Sequence, residues 1–532
     1  MVNSNWQRFR RYLVENQDLG FQLDISRVNF GEDYLFQMST RMESIYPLVE
    51  RLEQGEIFNP DEGRMVGHYW LRNPELAPTA ELTAEITNTI AEIKKFTARI
   101  HSGDLCSENG KVFKNVLVLG IGGSSLGPKF LSIALQSPED KTKLFFIDNT
   151  DPDGMDIVFR SLEKELDQTL TIVISKSGST IETRNAMEET KNFYRLHKIQ
   201  FSRQAISITQ PGSLLDQQSK KENWLTSFPM WDWVGGRTSV LSAVGLVPLA
   251  LQGINIDDLL YGAKLGDELT RLPETEKNPA ALLALMWYYV TEGQGGKEIV
   301  ILPYKDRLQL LTSYLQQLIM ESLGKEKNLK GETVQQGITV YGNKGSTDQH
   351  SYLQQLLDGP NNFLVIFIEV LKDRDNLSIQ VTENSTSGDY LQAFLLGTRQ
   401  ALSEKGRQSL TITLREINAQ SLGGLIALFE RAVTIYALLI NVNAYHQPAV
   451  ELGKKRAAAI ISLKNKAHAF LKANKGREYT LELLAENLGK DIDKENLYKI
   501  LQHLSVNPET SIRRVKNEAR RDDPFGYSYR AD

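Results

Sequence analysis

The amino-acid sequence predicts an α/β fold built from two doubly wound parallel sheets in αβα layers. Short, continuously apolar stretches rich in β-branched residues alternate with helical patterns, which is typical of parallel strands covered on both faces. They fall into two series, separated by a glycine-rich break at residues 293–296, and helical patterns precede and follow them. These observations predict four segments: a helical N-terminal segment (1–110), a first α/β domain (111–292), a second α/β domain (293–465), and a helical C-terminal extension with an arm (466–532).

Composition and charge narrow the possible functions. Of the 532 residues, 41% are hydrophobic and 24% charged, as in ordinary globular proteins, and the net charge of −5 creates no general attraction for nucleic acid or an anionic membrane. Cys106 is the only cysteine, which excludes an intrachain disulfide and a cysteine metal site. No apolar signal segment follows the N-terminus, and Glu430 and Arg431 interrupt the most apolar stretch, Leu422–Val442, which therefore fits a buried helix better than a membrane span. We expect a cytoplasmic protein without nucleic-acid or membrane partners.

The predicted elements follow the chain in order. Residues 1 to about 110 show no clear strand, and apolar residues at helical spacing between Leu82 and Ile100 indicate helix. The extension predicts two or three short helices over Tyr479–Leu504 and a charged arm over 513–532; its resemblance to a helix-turn-helix is faint, and helices packed on the body or a partner subunit fit better. The predicted strands of the two α/β domains are Val116–Leu119, Leu144–Ile147, Leu170–Ile174 and Ala205–Ile208, then Ile299–Leu302, Ile338–Tyr341, Phe363–Ile368 and Leu410–Leu414.

The first chemical signal is a glycine loop, Gly120–Pro128, between an apolar strand and a helical pattern. Such a loop directs free backbone N–H groups and the positive end of a helix dipole at one point, which suits an anion. Glycines such as Gly123 let the backbone approach a ligand, and Ser124 and Ser125 add hydroxyl donors. The loop lacks the third glycine of a dinucleotide fingerprint and the Gly-Lys-Ser/Thr of a Walker loop, so a single phosphate group fits better than a nucleotide.

A second loop, residues 175–183, also follows a strand and precedes a helical pattern. Its hydroxyl groups can donate hydrogen bonds, its lysine adds charge, and Gly178 permits tight curvature, all of which suit a phosphate. A serine-rich turn with a capping box from Thr180 to Thr183 is the alternative. Open parallel sheets bind ligands beyond the carboxyl ends of their strands, where both loops lie, and this favours a phosphate site. The predicted phosphate-binding residues of this loop are Ser175, Lys176, Ser177 and Thr180.

Further patterns contain candidate catalytic groups, each with an ordinary structural alternative. Arg237 directly follows two glycines and can place a permanent positive charge in a pocket, although an isolated Gly-Gly-Arg is usually a surface turn. Gln317 and Glu321 share one face of a predicted helix, but a solvated helix end fits that pattern too. His350 lies in a predicted first helical turn and Lys454 within a helix, where lone histidines and lysines are mostly structural or solvated.

Together these stretches resemble the phosphoglucose isomerase family, in the same order along residues 120–454, and Asn59–Arg72 is similar to it as well. The shared motifs are Gly-Ile-Gly-Gly-Ser with a later Leu-Gly-Pro, a Ser-Lys phosphate loop ending in Glu-Thr, Trp-Val-Gly-Gly-Arg, Met-Glu-Ser-x-Gly-Lys, a Gln-His loop, and Gln-x-x-Val-Glu-x-Gly-Lys. The resemblance implies two domains of the sugar-isomerase (SIS) type. It also implies an aldose–ketose isomerase of glycolysis and gluconeogenesis, which interconverts glucose 6-phosphate and fructose 6-phosphate through a cis-enediol.

The resemblance further implies a role for each candidate residue. Glu321 is the base that moves a proton between C1 and C2, and Arg237 stabilises the enediolate. His350 and Lys454 assist ring opening, and Gln317 positions the substrate. The family needs no metal or cofactor and forms homodimers in which the histidine loop reaches the partner's site, so we expect His350 to act across the interface. The residues implied to hold the sugar phosphate are Gly123, Ser124, Ser175, Lys176, Ser177 and Thr180.

Several residues depart from the family pattern, and they concern specificity more than reaction type. They are Thr238 after Gly-Gly-Arg, Ser177-Gly178-Ser179 in the phosphate loop, Leu323, Asp348, Tyr445-His446 and Pro448-Ala449. A bifunctional phosphoglucose/phosphomannose isomerase is therefore one alternative. A sugar-phosphate sensor without turnover is another, because a sensor needs the phosphate loops but not Glu321, Arg237 and His350.

Overall fold

The computed structural model describes residues 2–489, 491–516 and 525–532. The chain forms two compact units, residues 1–446 and 447–532. The first unit contains the N-terminal segment and both predicted sheets, and the second contains the C-terminal extension. The predicted segment boundaries at 110, 292 and 465 stay predictions.

The N-terminal segment is mainly helical but also contains short strands, which the sequence analysis does not predict. Its elements are α1 (Val2–Arg11), β1 (Leu13–Asn16), β2 (Phe21–Asp24), α2 (Tyr34–Glu53), β3 (Ile57–Asn59), β4 (Arg64–Met65) and α3 (Ala80–Ser102). β1 pairs with β2, and β3 with β4, as antiparallel hairpins. Polar residues such as Glu15 and Gln22 interrupt the first hairpin, so no apolar run marks its strands in the sequence.

The first α/β domain confirms the four predicted strands and adds a fifth. Its elements are β5 (Asn115–Leu119), α4 (Leu126–Leu135), β6 (Lys143–Ile147), α5 (Pro152–Leu162), β7 (Thr169–Ile174), α6 (Ile181–Leu196), β8 (Ala205–Thr209), α7 (Leu214–Lys221), β9 (Thr226–Pro229), α8 (Ala243–Gln252), α9 (Ile256–Thr270) and α10 (Pro279–Thr291). The strands form a parallel sheet in the order β6-β5-β7-β8-β9. β9 has one buried apolar residue, Phe228, and ends in Pro229, so no apolar run predicts it.

The second α/β domain also contains the four predicted strands. Its elements are β10 (Glu298–Pro303), α11 (Leu311–Leu315), β11 (Lys325–Lys327), β12 (Thr333–Gln336), β13 (Val340–Tyr341), α12 (Leu353–Asp358), β14 (Phe363–Val370), β15 (Gln380–Thr382), β16 (Ser385–Thr386), α13 (Ser387–Glu404), β17 (Ser409–Leu414) and α14 (Ala419–Leu439). Parallel strands β17, β14, β10 and β13 lie side by side, and the β1–β2 hairpin extends the sheet by pairing antiparallel to β17. α11 continues into a π-helical turn, Gln316–Glu321.

The most apolar stretch forms the buried helix α14, as predicted. Among the described residues it is the one helix long and apolar enough to cross a membrane, and 94% of its apolar 18-residue segment is buried inside the protein. Its charged residues are buried as well: Glu430 accepts a hydrogen bond from Arg72, and Arg431 Nη2 lies 2.9 Å from Asp267 Oδ1. Because breaking a buried ion pair is costly, this network helps to hold the N-terminal segment, α9 and α14 together.

The C-terminal unit contains the predicted helices and an antiparallel sheet that the sequence analysis does not predict. Its elements are α15 (Pro448–Ala473), β18 (Tyr479–Thr480), α16 (Leu481–Leu488), α17 (Lys494–Val506), β19 (Ile512–Lys516) and β20 (Tyr527–Ala531). The strands are ordered β18-β20-β19, and the helices and sheet share an apolar core that includes Leu471, Leu497 and Leu501. The predicted arm, 513–532, contributes to β19 and β20, and its residues 517–524 lie outside the described part of the chain.

Candidate active site

The two predicted phosphate loops leave the same edge of the first sheet. β5 and β7 are neighbouring parallel strands with Leu119 opposite Val173, so the loops that follow them begin side by side. The helices after these loops, α4 and α6, begin at Leu126 and Ile181. Backbone N–H groups at such helix starts favour an anion, and this edge is where open parallel sheets bind ligands.

The glycine loop packs directly against the turn that carries Arg237. A Cβ atom at Gly123 would lie 1.9 Å from the carbonyl oxygen of Gly236, so this approach requires glycine at position 123. Ser239 Oγ donates a hydrogen bond to the same carbonyl at 2.7 Å. Ser124 closes the short helical turn 122–124 and is half-buried. The predicted phosphate loop and the predicted catalytic arginine therefore share one wall.

The second loop is curved by hydrogen bonds among its own hydroxyls. Ser175 Oγ accepts a hydrogen bond from Gly178 N at 3.1 Å and donates one to Thr180 Oγ1 at 3.4 Å, and the Oγ atoms of Ser177 and Ser179 are 2.7 Å apart. Gly178 has a φ of +70°, in the region that favours glycine. Thr180 is the N-cap of α6 but makes no side-chain capping bond, so the ordinary capping box is not formed.

Lys176 ties this loop to the segment that leads to Arg237. Its Nζ donates hydrogen bonds to the carbonyl oxygens of Asp232 at 3.0 Å and Val234 at 3.1 Å. Burial, and secondarily the charge of Arg64, lowers the pKa of Lys176 to about 8. Lys176 is therefore a half-buried cation that joins two walls of the site.

Arg237 is buried and lies against Glu321. Its Nε is 3.3 Å from Glu321 Oε2, and its Nη1 and Nη2 donate to the carbonyl oxygens of Ala444 at 3.3 Å and His446 at 3.2 Å. Burial lowers the pKa of Arg237, while the Glu321 carboxylate opposes that shift. The side chain of Arg237 is 4% exposed and that of Glu321 is 27% exposed. These residues therefore match neither the surface turn nor the fully solvated helix end of the alternative interpretations.

The predicted helix that carries Gln317 and Glu321 is present, but its last part is a π-helical turn. Single π-turns inside helices are frequent at functional sites because they redirect side chains locally. A Cβ atom at Gly122 would lie 3.0 Å from Gln317 Nε2, so the Gln317 amide lies directly over the glycine loop. The apolar pattern of residues 314–320 predicts a helix without specifying its type. The turn thus brings Gln317 to the phosphate loop and Glu321 to Arg237.

Lys325, the last residue of the Met-Glu-Ser-x-Gly-Lys motif, also belongs to this group of residues, although its sequence pattern indicates no role for it. Its Nζ donates hydrogen bonds to the carbonyl oxygens of Glu321 at 2.7 Å and His446 at 3.0 Å. Burial, followed by the charge of Arg237, lowers the pKa of Lys325 to about 7. A lysine after a glycine usually lies in solvent, so only the tertiary fold shows that Lys325 is buried.

His350 lies in an ordered loop of the second domain, and its side chain is exposed. Asp348 organises the loop by accepting hydrogen bonds from Asn343 N at 2.8 Å and Lys344 N at 3.1 Å. Gln349 Nε2 donates to Thr398 Oγ1 at 2.8 Å. The loop is thus fixed at its base and presents His350 outward.

Lys454 lies in the first half of α15, in the C-terminal unit, and is exposed. Its role in ring opening stays a prediction. Among the described residues, no group of three or more His, Cys, Asp and Glu side chains could hold a metal ion.

Comparison with known proteins identifies the family. The family model described as phosphoglucose isomerase matches residues 25–475. Two similar proteins, both named glucose-6-phosphate isomerase, come from Desulfitobacterium hafniense strain Y51 (60% identical over 509 residues, 96% of each chain) and Geobacter sulfurreducens (54% over 508 residues, 95% of this chain and 96% of the relative). The crystal structure of a glucose-6-phosphate isomerase from Chlamydia trachomatis is 26% identical, with a TM-score of 0.78, covering 86% of this chain and 90% of that one. With this match over most of its length, the chain belongs to the phosphoglucose isomerase family.

Proposed function

We propose that the protein is an aldose–ketose isomerase that interconverts glucose 6-phosphate and fructose 6-phosphate, a step of glycolysis and gluconeogenesis. Its family and the names of relatives at 54% and 60% identity support this reaction. Within the site, the observation that carries the proposal is the 3.3 Å separation of Glu321 Oε2 and Arg237 Nε beside the two phosphate loops. A carboxylate base beside a buried cation is what proton abstraction next to a carbonyl group requires.

The phosphate end of the sugar anchors the substrate. Hydroxyl and backbone N–H donors of the two loops surround the phosphate oxygens, and α4 and α6 direct the positive ends of their dipoles at the same point. Lys176 adds positive charge while its bonds to Asp232 and Val234 fix the second loop. Gln317, over Gly122, contacts the sugar chain between phosphate and reacting carbons. The proposed phosphate-binding residues are Gly123, Ser124, Ser175, Lys176, Ser177 and Thr180.

Glu321 carries the proton between the two carbons. From open-chain glucose 6-phosphate it removes the C2 proton, and the electron pair moves into the C1 carbonyl to give a cis-enediolate. Arg237 stabilises the negative charge on the oxygens as it develops, because a buried guanidinium needs no reorganisation at that moment. Return of a proton to C1, with transfer of the hydroxyl proton from O2 to O1, yields fructose 6-phosphate. No step needs a metal or an organic cofactor.

The base and cation also separate this proposal from its alternatives. A sugar-phosphate sensor needs the loops but gains nothing from a carboxylate held 3.3 Å from a buried guanidinium. Activity toward mannose 6-phosphate concerns specificity, and the family and the relatives named glucose-6-phosphate isomerase support glucose 6-phosphate as the aldose. The geometry therefore supports a sugar-phosphate isomerase best, and the relatives support glucose and fructose 6-phosphates as its substrates.

Ring opening and assembly complete the proposal. His350 and Lys454 assist opening of the cyclic sugar, and the protein acts as a cytoplasmic homodimer in which His350 serves the partner's site. The exposed side chain of His350 on a fixed loop supports this arrangement, since a group that serves a neighbouring subunit must project from its own.

Replacement of the base tests the function directly. We expect Glu321→Gln to lower kcat by about 10²–10⁴-fold, the usual contribution of a general base, while fructose 6-phosphate still binds in calorimetric titration. Glu326→Gln, at an exposed position on β11, is the matched control and leaves kcat unchanged. Wild-type protein that fails to isomerise glucose 6-phosphate in a coupled assay would refute the function, and near-wild-type turnover by Glu321→Gln would refute the base.

A further inference from the structure

One backbone carbonyl connects the two proposed catalytic groups. The His446 oxygen accepts a hydrogen bond from Arg237 Nη2 at 3.2 Å and another from Lys325 Nζ at 3.0 Å. Lys325 Nζ also donates to the Glu321 carbonyl oxygen at 2.7 Å. Two connections therefore link Glu321 with Arg237. One is the contact between their side chains, and the other runs through Lys325 and the His446 carbonyl group.

We propose that Lys325 is a positioning residue for the isomerisation, whose amine ties the turn that carries Glu321 to the segment that holds Arg237 and so fixes base and cation relative to each other. The proposal rests on the function proposed above. It adds to that function a residue that contacts neither the reacting carbons nor the phosphate.

The local backbone explains why such a tie is useful. Glu321 is the last residue of the π-helical turn, and the last carbonyls of a helix lack intrahelical partners. Lys325, four residues later, begins β11 and folds its side chain back to one of these carbonyls. Lysines near helix ends often satisfy such groups. The same amine also donates a hydrogen bond to the His446 carbonyl oxygen, so it connects the turn to a distant part of the chain.

The burial of Lys325 makes its charge relevant to the reaction. The residue is 6% exposed, and burial together with Arg237 lowers the pKa of its amine to about 7, against the opposing charges of Glu321 and Asp61. The imidazole of His446 is the other titratable group that faces it. Below about pH 7 the ammonium adds a positive charge beside Glu321, and this charge repels the proton that moves during the reaction. Above pH 7 the neutral amine keeps two N–H groups, enough for its two carbonyl acceptors.

The test compares the kcat and KM of Lys325→Met and Lys327→Met over a range of fructose 6-phosphate concentrations that reaches saturation. Lys327 lies on the same strand but is exposed, so its replacement leaves kcat unchanged. We expect Lys325→Met to lower kcat by about 10²-fold with little change in KM, since a misplaced base costs about that much. We also expect the rise of kcat through pH 7 in the wild type to be absent in Lys325→Met. A kcat within twofold of wild type, or an unchanged pH profile, would overturn the proposal.

Lys325→Gln keeps two N–H donors on a side chain that does not titrate. We expect it to recover part of the kcat lost in Lys325→Met and to show no rise through pH 7. If Lys325→Met fails to fold, a wild-type pH profile in Lys325→Gln overturns the proposal. The proposal is also overturned if kcat of the wild type does not rise through pH 7. Wild-type turnover distinguishes the outcomes, because an inactive wild type refutes the function and an active one with insensitive Lys325 variants refutes only this inference.

Discussion

At the scale of single residues, the site depends on buried cations with specific carbonyl partners. Arg237 contacts Glu321 while two of its nitrogens hold the carbonyls of Ala444 and His446. The sequence identifies Arg237 and Glu321 as candidates because their types suit the chemistry. It does not single out Lys325, since only the tertiary fold removes that lysine from water.

Arg237→Lys tests whether the guanidinium geometry matters beyond its charge. A lysine has one nitrogen and cannot reach Glu321 and two carbonyls at once, so the enediolate loses its fixed cation. We expect kcat to fall by about 10²–10³-fold, the usual loss when one preorganised transition-state contact is removed. Arg160→Lys, at an exposed position on α5, serves as the control in the same assay. Full activity of Arg237→Lys would mean that charge alone suffices.

At the scale of elements, two loops and one π-helical turn form the walls of the site. The apolar runs predict the strands, and the loops at their carboxyl ends follow from the rules of parallel sheets. Residues 316–321 carry only a helical pattern, so the sequence could not predict the π-turn that carries Gln317 and Glu321. The close approach of Gly123 to Gly236 joins positions far apart in the chain, and no local pattern encodes it.

Gly123→Ala tests this approach. The added methyl group would lie 1.9 Å from the Gly236 oxygen, so the loop or the Arg237 turn must move. Since a displacement of about 1 Å can cost about 10²-fold in rate, we expect a loss of that order together with weaker binding of inorganic phosphate in calorimetric titration. Gly397→Ala, on α13 with nothing within 4 Å of the new atom, is the control and keeps full activity. Unchanged kinetics in Gly123→Ala would show that this contact is not needed.

At the scale of the whole molecule, the catalytic pair joins the segments that carry the two parallel sheets. Arg237 and the phosphate loops come from the predicted first α/β domain, while Glu321, Gln317 and His350 come from the predicted second one. The sequence predicts both parallel sheets and eight of their strands because these strands are short, largely apolar runs rich in β-branched residues, whereas β9 has no such run. The sequence does not predict the β1–β2 hairpin that extends the second sheet, nor the antiparallel sheet of the C-terminal unit. The strands of both are short and contain polar residues, so they form no apolar run.

Mixing two inactive variants tests whether His350 acts across a dimer interface. If it does, a heterodimer of His350→Ala and Glu321→Gln subunits has one intact site and one doubly altered site. We expect random reassociation of equal amounts to restore about a quarter of wild-type activity, since half of the dimers are mixed and each has one working site. If His350 serves its own subunit, no heterodimer contains an intact site and activity stays at the level of the separate variants.

The most direct test of the central claim, that Glu321 carries a proton between C1 and C2, is the fate of that proton. Wild-type protein equilibrating glucose 6-phosphate in deuterium oxide should introduce deuterium at C2 of glucose 6-phosphate and at C1 of fructose 6-phosphate, followed by NMR, because an enediolate exposes the base to solvent exchange. Glu321→Gln should slow this exchange by the same factor as turnover. Turnover without exchange after many cycles, or exchange that is insensitive to Glu321→Gln, would contradict the account.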